Sequence, residues 1–280
     1  MRQTGKIGLN RASPARTFAG SLEQVRLEVD VDGVALVTFN RPGAMNTLTL
    51  QFVDEMLYCA VECDTNPAVR AVVLTGAGRA FSAGGDLKDI SSQPDRSVYL
   101  KLMTTSYHAA LSRFARMSKP VIAAVNGVVA GGGLGQMAAA DLAILGSSAR
   151  ISSAFTAAGL TPDSSSTYFV QRHVGHRRAL ELFLTNRQLS AQEALEWGLA
   201  TKVVPDSEVL STALALARQL ADGAVGAFGE VKRLLLESGS LETQLEQESR
   251  AISAAANGDE GLEGVDAFLQ KRHANFRGNN

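Results

Sequence analysis

The first legible stretch alternates strictly. In Val25-Arg26-Leu27-Glu28-Val29-Asp30 apolar and charged residues fall on opposite faces, the period-2 pattern of a half-buried strand. Asp32-Gly33 then reads as a hairpin turn, and Val34 to Phe39 as a buried strand. Beyond Asn40-Arg41-Pro42 the period lengthens. Phe52, Met56 and Ala60 recur every fourth residue, which predicts a helix through Cys63 capped by Thr47 or Thr49. Apolar runs at 71–75 and 121–125 predict buried strands separated by a long helix near 96–117, with further strands at 142–146 and near 150–153. This alternation predicts an α/β fold of stacked right-handed β–β–α units. Past about residue 163 strand patterns nearly vanish. Helices are expected at 165–173, 177–184, 191–196, 207–221, 225–237, 241–255 and 261–273. Such a helical stretch has no sheet of its own, so its apolar faces must be buried against the core or another subunit.

Two glycine-rich turns carry the candidate chemistry: Phe81-Ser82-Ala83-Gly84-Gly85-Asp86, and Gly131-Gly132-Gly133 after Asn126-Gly127-Val128-Val129-Ala130. Each follows a predicted strand and opens a predicted helix, where backbone N–H groups lack intrahelical partners. Two such turns from neighbouring strands can aim two donors at one oxygen, the geometry of an oxyanion hole. Close packing is the alternative reading of each turn taken alone. Phosphate binding is disfavoured: no Gly-x-x-x-x-Gly-Lys-Ser/Thr is present, and only the degenerate Gly133-x-Gly135-x-x-Ala138 occurs.

The two turns resemble the paired signature of the crotonase (enoyl-CoA hydratase/isomerase) superfamily. So do Asn40-Arg41-Pro42 leading to Asn46-Thr47-Leu48, the stretch Leu184-Thr185-Asn186-Arg187 with Trp197-Gly198-Leu199-Ala200 and Val203-Val204, and Phe268-Leu269-Gln270-Lys271-Arg272 with Ala274-Asn275-Phe276. The resemblance spans about residues 24–276. It implies a crotonase-like stacked ββα superhelix core over 23–203, and a C-terminal helical region over 204–280 that assembles a homotrimer or homohexamer and contacts coenzyme A. It implies a coenzyme A thioester as substrate, with no permanently bound cofactor. It also implies an oxyanion hole from the amides of Ala83 and Gly132. Coenzyme A contacts are implied at Ala44, Asn46, Ala80, Phe81 and Gly85, and at Phe268 and Lys271 on the last helix; Lys271 reads equally as a solvated helix-end lysine.

The sequence departs from the family where hydratases carry two glutamates. Those positions hold Gly135 and Phe155, so hydration of a double bond lacks its acid/base pair. One carboxylate remains nearby, Asp163 in Thr161-Pro162-Asp163-Ser164-Ser165-Ser166-Thr167. By residue type alone Asp163 is a helix N-cap. The resemblance implies chemistry instead, since family members that shift a double bond can carry an aspartate here, and 4-chlorobenzoyl-CoA dehalogenases use one as a nucleophile. His108 lies beside the apolar stripe Leu100, Met103, Tyr107, Leu111 and Phe114 of the long helix, and reads first as structural. Counted back from the second turn it matches the dehalogenases' water-activating histidine. Tyr107 and Phe155 match the residues walling their acyl pocket.

Composition adds bounds. With 27 basic and 28 acidic residues in 280, no general pull towards nucleic acid or a membrane exists. Cys59 and Cys63 lie four apart with no further ligands, so no metal is expected and a reducing cytoplasmic setting suits them. Residues 1–22 hold Arg2, Lys6, Arg11 and Arg16 but no acid and no apolar core, as in a disordered leader. The run Pro120–Leu145 is broken by Asn126, Gln136 and Asp141 and is not expected to span a membrane. The leading expectation is an isomerase-type acyl-CoA enzyme moving a proton through Asp163. The alternatives are a halobenzoyl-CoA dehalogenase, with Asp163 as nucleophile and His108 as base, and a catalytically degenerate CoA-binding scaffold.

Overall fold

The computed structural model describes residues 22–278, so the leader expected over 1–22 lies, apart from Leu22, outside the described residues. A six-stranded sheet holds β1 (Val25–Val29), β2 (Val34–Phe39), β3 (Ala71–Gly76), β5 (Val121–Val125), β7 (Leu142–Gly146) and β10 (Lys202–Val204) in that order. The β1/β2 hairpin is antiparallel and the remaining pairs are parallel. The hairpin forms where Asp32-Gly33 placed it: Gly33 adopts φ +77°, and Asp30 Oδ1 accepts the amides of Asp32 and Val34.

A second sheet was not legible in the periodicity. It orders β4 (Ala80–Ser82), β6 (Val128–Val129), β8 (Arg150–Ile151) and β9 (Leu189–Ser190). Its strands are two or three residues long, too short for a period-2 signal, and the strand expected near 150–153 ends at Ile151. This sheet positions the site. Because β3 pairs parallel with β5, and β4 pairs parallel with β6, the two glycine turns that follow emerge side by side.

The helices follow the apolar spacing closely. Helix α1 (Leu50–Thr65) is capped by Thr49, whose hydroxyl accepts the amide of Phe52, and buries Phe52, Met56, Cys59, Ala60 and Cys63. Helix α2 (Leu87–Ser92) is capped by Asp86, and α3 (Arg96–Arg116) by Asp95. Every residue of α4 (Gly132–Ala139) is buried, so the apolar run 120–145 is a strand–turn–helix–strand passage through the core. Helices α5 (Ser166–Val174), α6 (His176–Thr185) and α7 (Ala191–Glu196) follow, and α8 (Val209–Ala221) packs its alanine face on the six-stranded sheet. Helix α9 (Val225–Leu236) is tied down by Lys232, whose ammonium pairs with Asp141 at 2.8 Å. Helices α10 (Leu241–Ala256) and α11 (Asp259–Leu269) leave Leu241, Ile252, Val265, Phe268 and Leu269 exposed. Among the described residues no helix is long and apolar enough to cross a membrane.

Glu55, 1% exposed on α1, anchors the start of β1. Its Oε2 accepts the amides of Glu23, Gln24 and Val25 at 3.1, 2.8 and 2.8 Å. Glu55→Ala strands three donors beside the core and is expected to cost about 3 kcal/mol in urea unfolding, with β1 fraying in hydrogen exchange.

Candidate active site

The two glycine turns touch backbone to backbone. A methyl group added at Gly84, where φ is +86°, would lie 3.0 Å from Gly131 Cα and 3.1 Å from Gly132 N. Gly131 itself sits at φ +52°. Side chains at either position would push the turns apart.

The amides of these turns are unequally engaged. Ala83 N–H donates to the Met45 carbonyl at 3.0 Å, Gly84 N–H reaches Ser82 Oγ at 3.3 Å, and Gly131 N–H donates to Ser153 O at 3.0 Å. Gly133 N–H turns back to Ala130 O at 2.9 Å. Neither Gly85 nor Gly132 has an acceptor for its amide among the described residues. The expectation for Ala83 is therefore corrected: its amide is consumed by the 41–47 loop, and the free amide of the first turn belongs to Gly85. Gly132 keeps its free amide. The surroundings of Gly85 are rigid, because Leu48 bridges it (Leu48 N–H to Gly84 O, Asp86 N–H to Leu48 O) and Arg41 pairs with Asp86 at 3.1 Å.

Gly85 and Gly132 open on a cavity of about 540 Å³ walled largely by apolar side chains, among them Leu48, Ile90, Met103, Tyr107, Phe155 and Leu160. Asp163 also lines it. Tyr107 and Phe155 are both in this lining. The Tyr107 hydroxyl lies within hydrogen-bond reach of Gln136 Oε1 (3.0 Å) and Gly132 O (3.2 Å), and burial pushes its pKa well above the usual phenol range.

Asp163 does not cap α5 with its carboxylate. Its main-chain carbonyl accepts both the amide (2.9 Å) and the hydroxyl (2.6 Å) of Ser166, while carboxylate Oδ1 accepts from Ser164 Oγ at 2.7 Å. Ser164 and Ser165 hold φ +55° and +61°, so the chain passes through left-handed space just before α5. Such backbone costs on the order of 1 kcal/mol per residue and persists where packing enforces it. Burial raises the Asp163 pKa above the ordinary carboxylate value, against the opposing pull of the Ser164 hydroxyl.

The packing that enforces it is at Gly135. A Cβ on Gly135 would lie 1.9 Å from Ser164 O, so α4 and the 163–165 turn are in direct backbone contact. A glutamate cannot occupy position 135 without displacing the turn that carries Asp163. The absence of the first family glutamate and the placement of Asp163 are one steric arrangement.

His108 stands on the far side of Asp163. Its Nε2 accepts the Ser164 amide at 3.2 Å and lies 3.9 Å from Asp163 Oδ2. An Nε2 that accepts an N–H carries no proton, so in this geometry the two side chains are neighbours without forming an ion pair. His108 does not line the acyl-sized cavity.

The expected coenzyme A contacts separate. Gly85 lines the cavity; Ala44, Asn46, Ala80 and Phe81 do not. Asn46 is fully buried: its Oδ1 accepts the Arg41 amide and its Nδ2 donates to the carbonyls of Ala77 and Ala80, so it clamps two loops together and presents nothing to a ligand. Ala80 and Phe81 are likewise fully buried, Phe81 with its ring edge-on to Phe39. Ala44 is half-buried, with its carbonyl taken by Thr47 N–H. Phe268 and Lys271 are exposed beside α11, away from this cavity. Among the described residues no group of three or more His, Cys, Asp or Glu is placed to hold a metal ion. Two participants escaped sequence reasoning: Ser164, whose hydroxyl and amide join Asp163 to His108, and the Gly85 amide.

On this α/β scaffold one largely apolar cavity is thus lined by two glycines whose amides are unengaged and by a single carboxylate residue, Asp163. The chain belongs to the enoyl-CoA hydratase/isomerase family, whose model matches residues 30–279. It is 37% identical over 244 residues to 4-chlorobenzoyl coenzyme A dehalogenase-2 of an Arthrobacter species, covering 86% of this chain and 88% of that protein. It is also 37% identical over 250 residues to 1,2-epoxyphenylacetyl-CoA isomerase of Escherichia coli (strain K12), covering 88% and 95%. The crystal structure of an enoyl-CoA hydratase from Bacillus anthracis superposes with a TM-score of 0.86 at 30% identity, covering 92% of this chain and 100% of that one.

Proposed function

We propose that the protein shifts a carbon–carbon double bond in an acyl-CoA thioester. The amides of Gly85 and Gly132 hold the thioester oxygen, and Asp163 carries the proton between carbons. Removing a proton next to a thioester carbonyl places negative charge on that oxygen. Two fixed amides in an apolar cavity stabilise it, each contributing about 3 kcal/mol to the lowering of the barrier. Asp163 then takes the proton from one carbon and returns it two carbons along. A carboxylate whose basicity is raised by burial suits both halves of that transfer.

The observation that carries this reading is the placement of Asp163. Asp163 lines the cavity with its carboxylate relieved of capping duty, while Gly135 and Phe155 leave the hydratase positions without an acid or base. Crotonyl-CoA hydration is therefore expected to run at least about a hundredfold below isomerisation of a 3-enoyl-CoA, followed by loss of the conjugated-thioester absorbance. Equal rates would mean that another residue activates water. The exposed apolar side chains of α10 and α11 are consistent with assembly into a homotrimer or homohexamer, the arrangement we infer.

A second reading rests on the closeness of His108 to Asp163. Asp163 could attack an aryl thioester's ring carbon, displace halide and leave an ester that a His108-activated water hydrolyses. That route needs Nε2 free to accept a proton from water, whereas here it accepts the Ser164 amide. Isomerisation asks for no such rearrangement and is preferred.

A further inference from the structure

Asp163 and Ser164 stand between two cavities. Beyond the acyl-sized one lies a second of about 490 Å³, whose lining includes His108, Ser112, Ala115, Thr167 and Phe169. It opens to the surface: Ser112 and Thr167 are exposed, and about half of the His108 side chain is accessible. Asp163, Ser164 and Ser165 also form part of its wall.

We propose that this second cavity is a water site and proton-exchange route to Asp163, separate from the channel that the thioester fills. The inference rests on the isomerase reading. With an acyl group in the first cavity, Asp163 faces hydrocarbon on that side. On the other side, Asp163 Oδ2 is 3.9 Å from His108 Nε2, at the edge of a solvent-connected space. In the reaction the Cα–H bond breaks, its electron pair enters the enolate and its proton bonds to a carboxylate oxygen of Asp163. Return of a proton to Cγ re-forms the thioester carbonyl and completes the shift. While Asp163 is protonated, its hydrogen can be exchanged one for one with a hydrogen of water in the second cavity, without change of charge. His108 positions this exchange by holding the Ser164 amide, which keeps the 163–165 turn between the two spaces.

The test is isomerisation of a 3-enoyl-CoA in deuterium oxide, with product deuterium counted by mass spectrometry. The wild-type protein is compared with Ser112→Trp and Thr167→Trp, two variants at exposed positions on different helices that narrow the second cavity without touching the first. The wild-type product is expected to carry solvent deuterium. In the plugged variants the labelled fraction should fall at least about threefold while turnover stays within about twofold. Equal labelling in wild type and both variants would overturn the proposal, as would an unlabelled wild-type product. Exchange of the α-hydrogens of hexanoyl-CoA, followed in parallel, separates this inference from its premise. Exchange that falls on plugging, without any isomerisation, would uphold the cavity and overturn the isomerase reading. Neither exchange nor isomerisation would overturn both.

Discussion

Replacing Asp163 with asparagine is expected to lower turnover of a 3-enoyl-CoA at least about a hundredfold, a barrier increase of about 2.7 kcal/mol, with KM nearly unchanged. Asparagine keeps the shape and can still accept from Ser164 Oγ, but it cannot carry a proton. Stability should hold or rise slightly at neutral pH. The sign follows from the direction of the shift. Burial raises the pKa of Asp163, so the folded state favours the protonated form. Whatever stability that preference contributes is present below the unfolded-state pKa and is lost as pH rises through the folded one. At pH 7 the ionised carboxylate is a modest liability that asparagine removes. The same shift moves the acid limb of the wild-type rate profile above the ordinary aspartate range, and activity should climb with pH through it.

The second large effect is expected at a residue with no side chain. Gly135→Ala places a methyl carbon 1.9 Å from Ser164 O, a backbone atom that cannot rotate away. The 163–165 turn or α4 must shift, at a cost of about 2–3 kcal/mol, which lowers the melting temperature by several degrees. Since Asp163 rides on that turn, a displacement of about 1 Å should also reduce turnover on the order of a hundredfold. Gly135→Glu, which restores the hydratase-type residue, is expected to create no hydratase, because the space its side chain would need holds the Asp163 turn. Wild-type melting and turnover in Gly135→Ala would show that the contact is soft.

How much of this was readable from the residues varied with the range of the interaction. The long strands and helices were legible because their apolar residues repeat over several turns or pleats, as Phe52, Met56 and Ala60 do in α1. The second sheet was not, because Val128–Val129 and Leu189–Ser190 are too short to show a period. The paired turns announced themselves through glycine, yet which amide stays free was decided by Met45, whose carbonyl claims Ala83 from a separate loop. Spacing cannot report that. Asn46 likewise matched a ligand-contact motif while its side chain is spent on clamping Arg41, Ala77 and Ala80. Asp163 looked like a helix cap because Ser and Thr follow it. The capping bonds went to its main-chain carbonyl once Ser164 and Ser165 entered left-handed backbone, a choice imposed by the Gly135 contact from another helix.

The most direct measurement is product analysis on two substrates in parallel, a 3-enoyl-CoA and 4-chlorobenzoyl-CoA, with wild type and Asp163→Asn. The expected result is conversion of the 3-enoyl to the 2-enoyl thioester by wild type, loss of that conversion in the variant, and no chloride release from the aryl substrate. Chloride release dependent on Asp163, with the enoyl substrate left unchanged, would contradict proton transfer through Asp163 and establish it as a nucleophile.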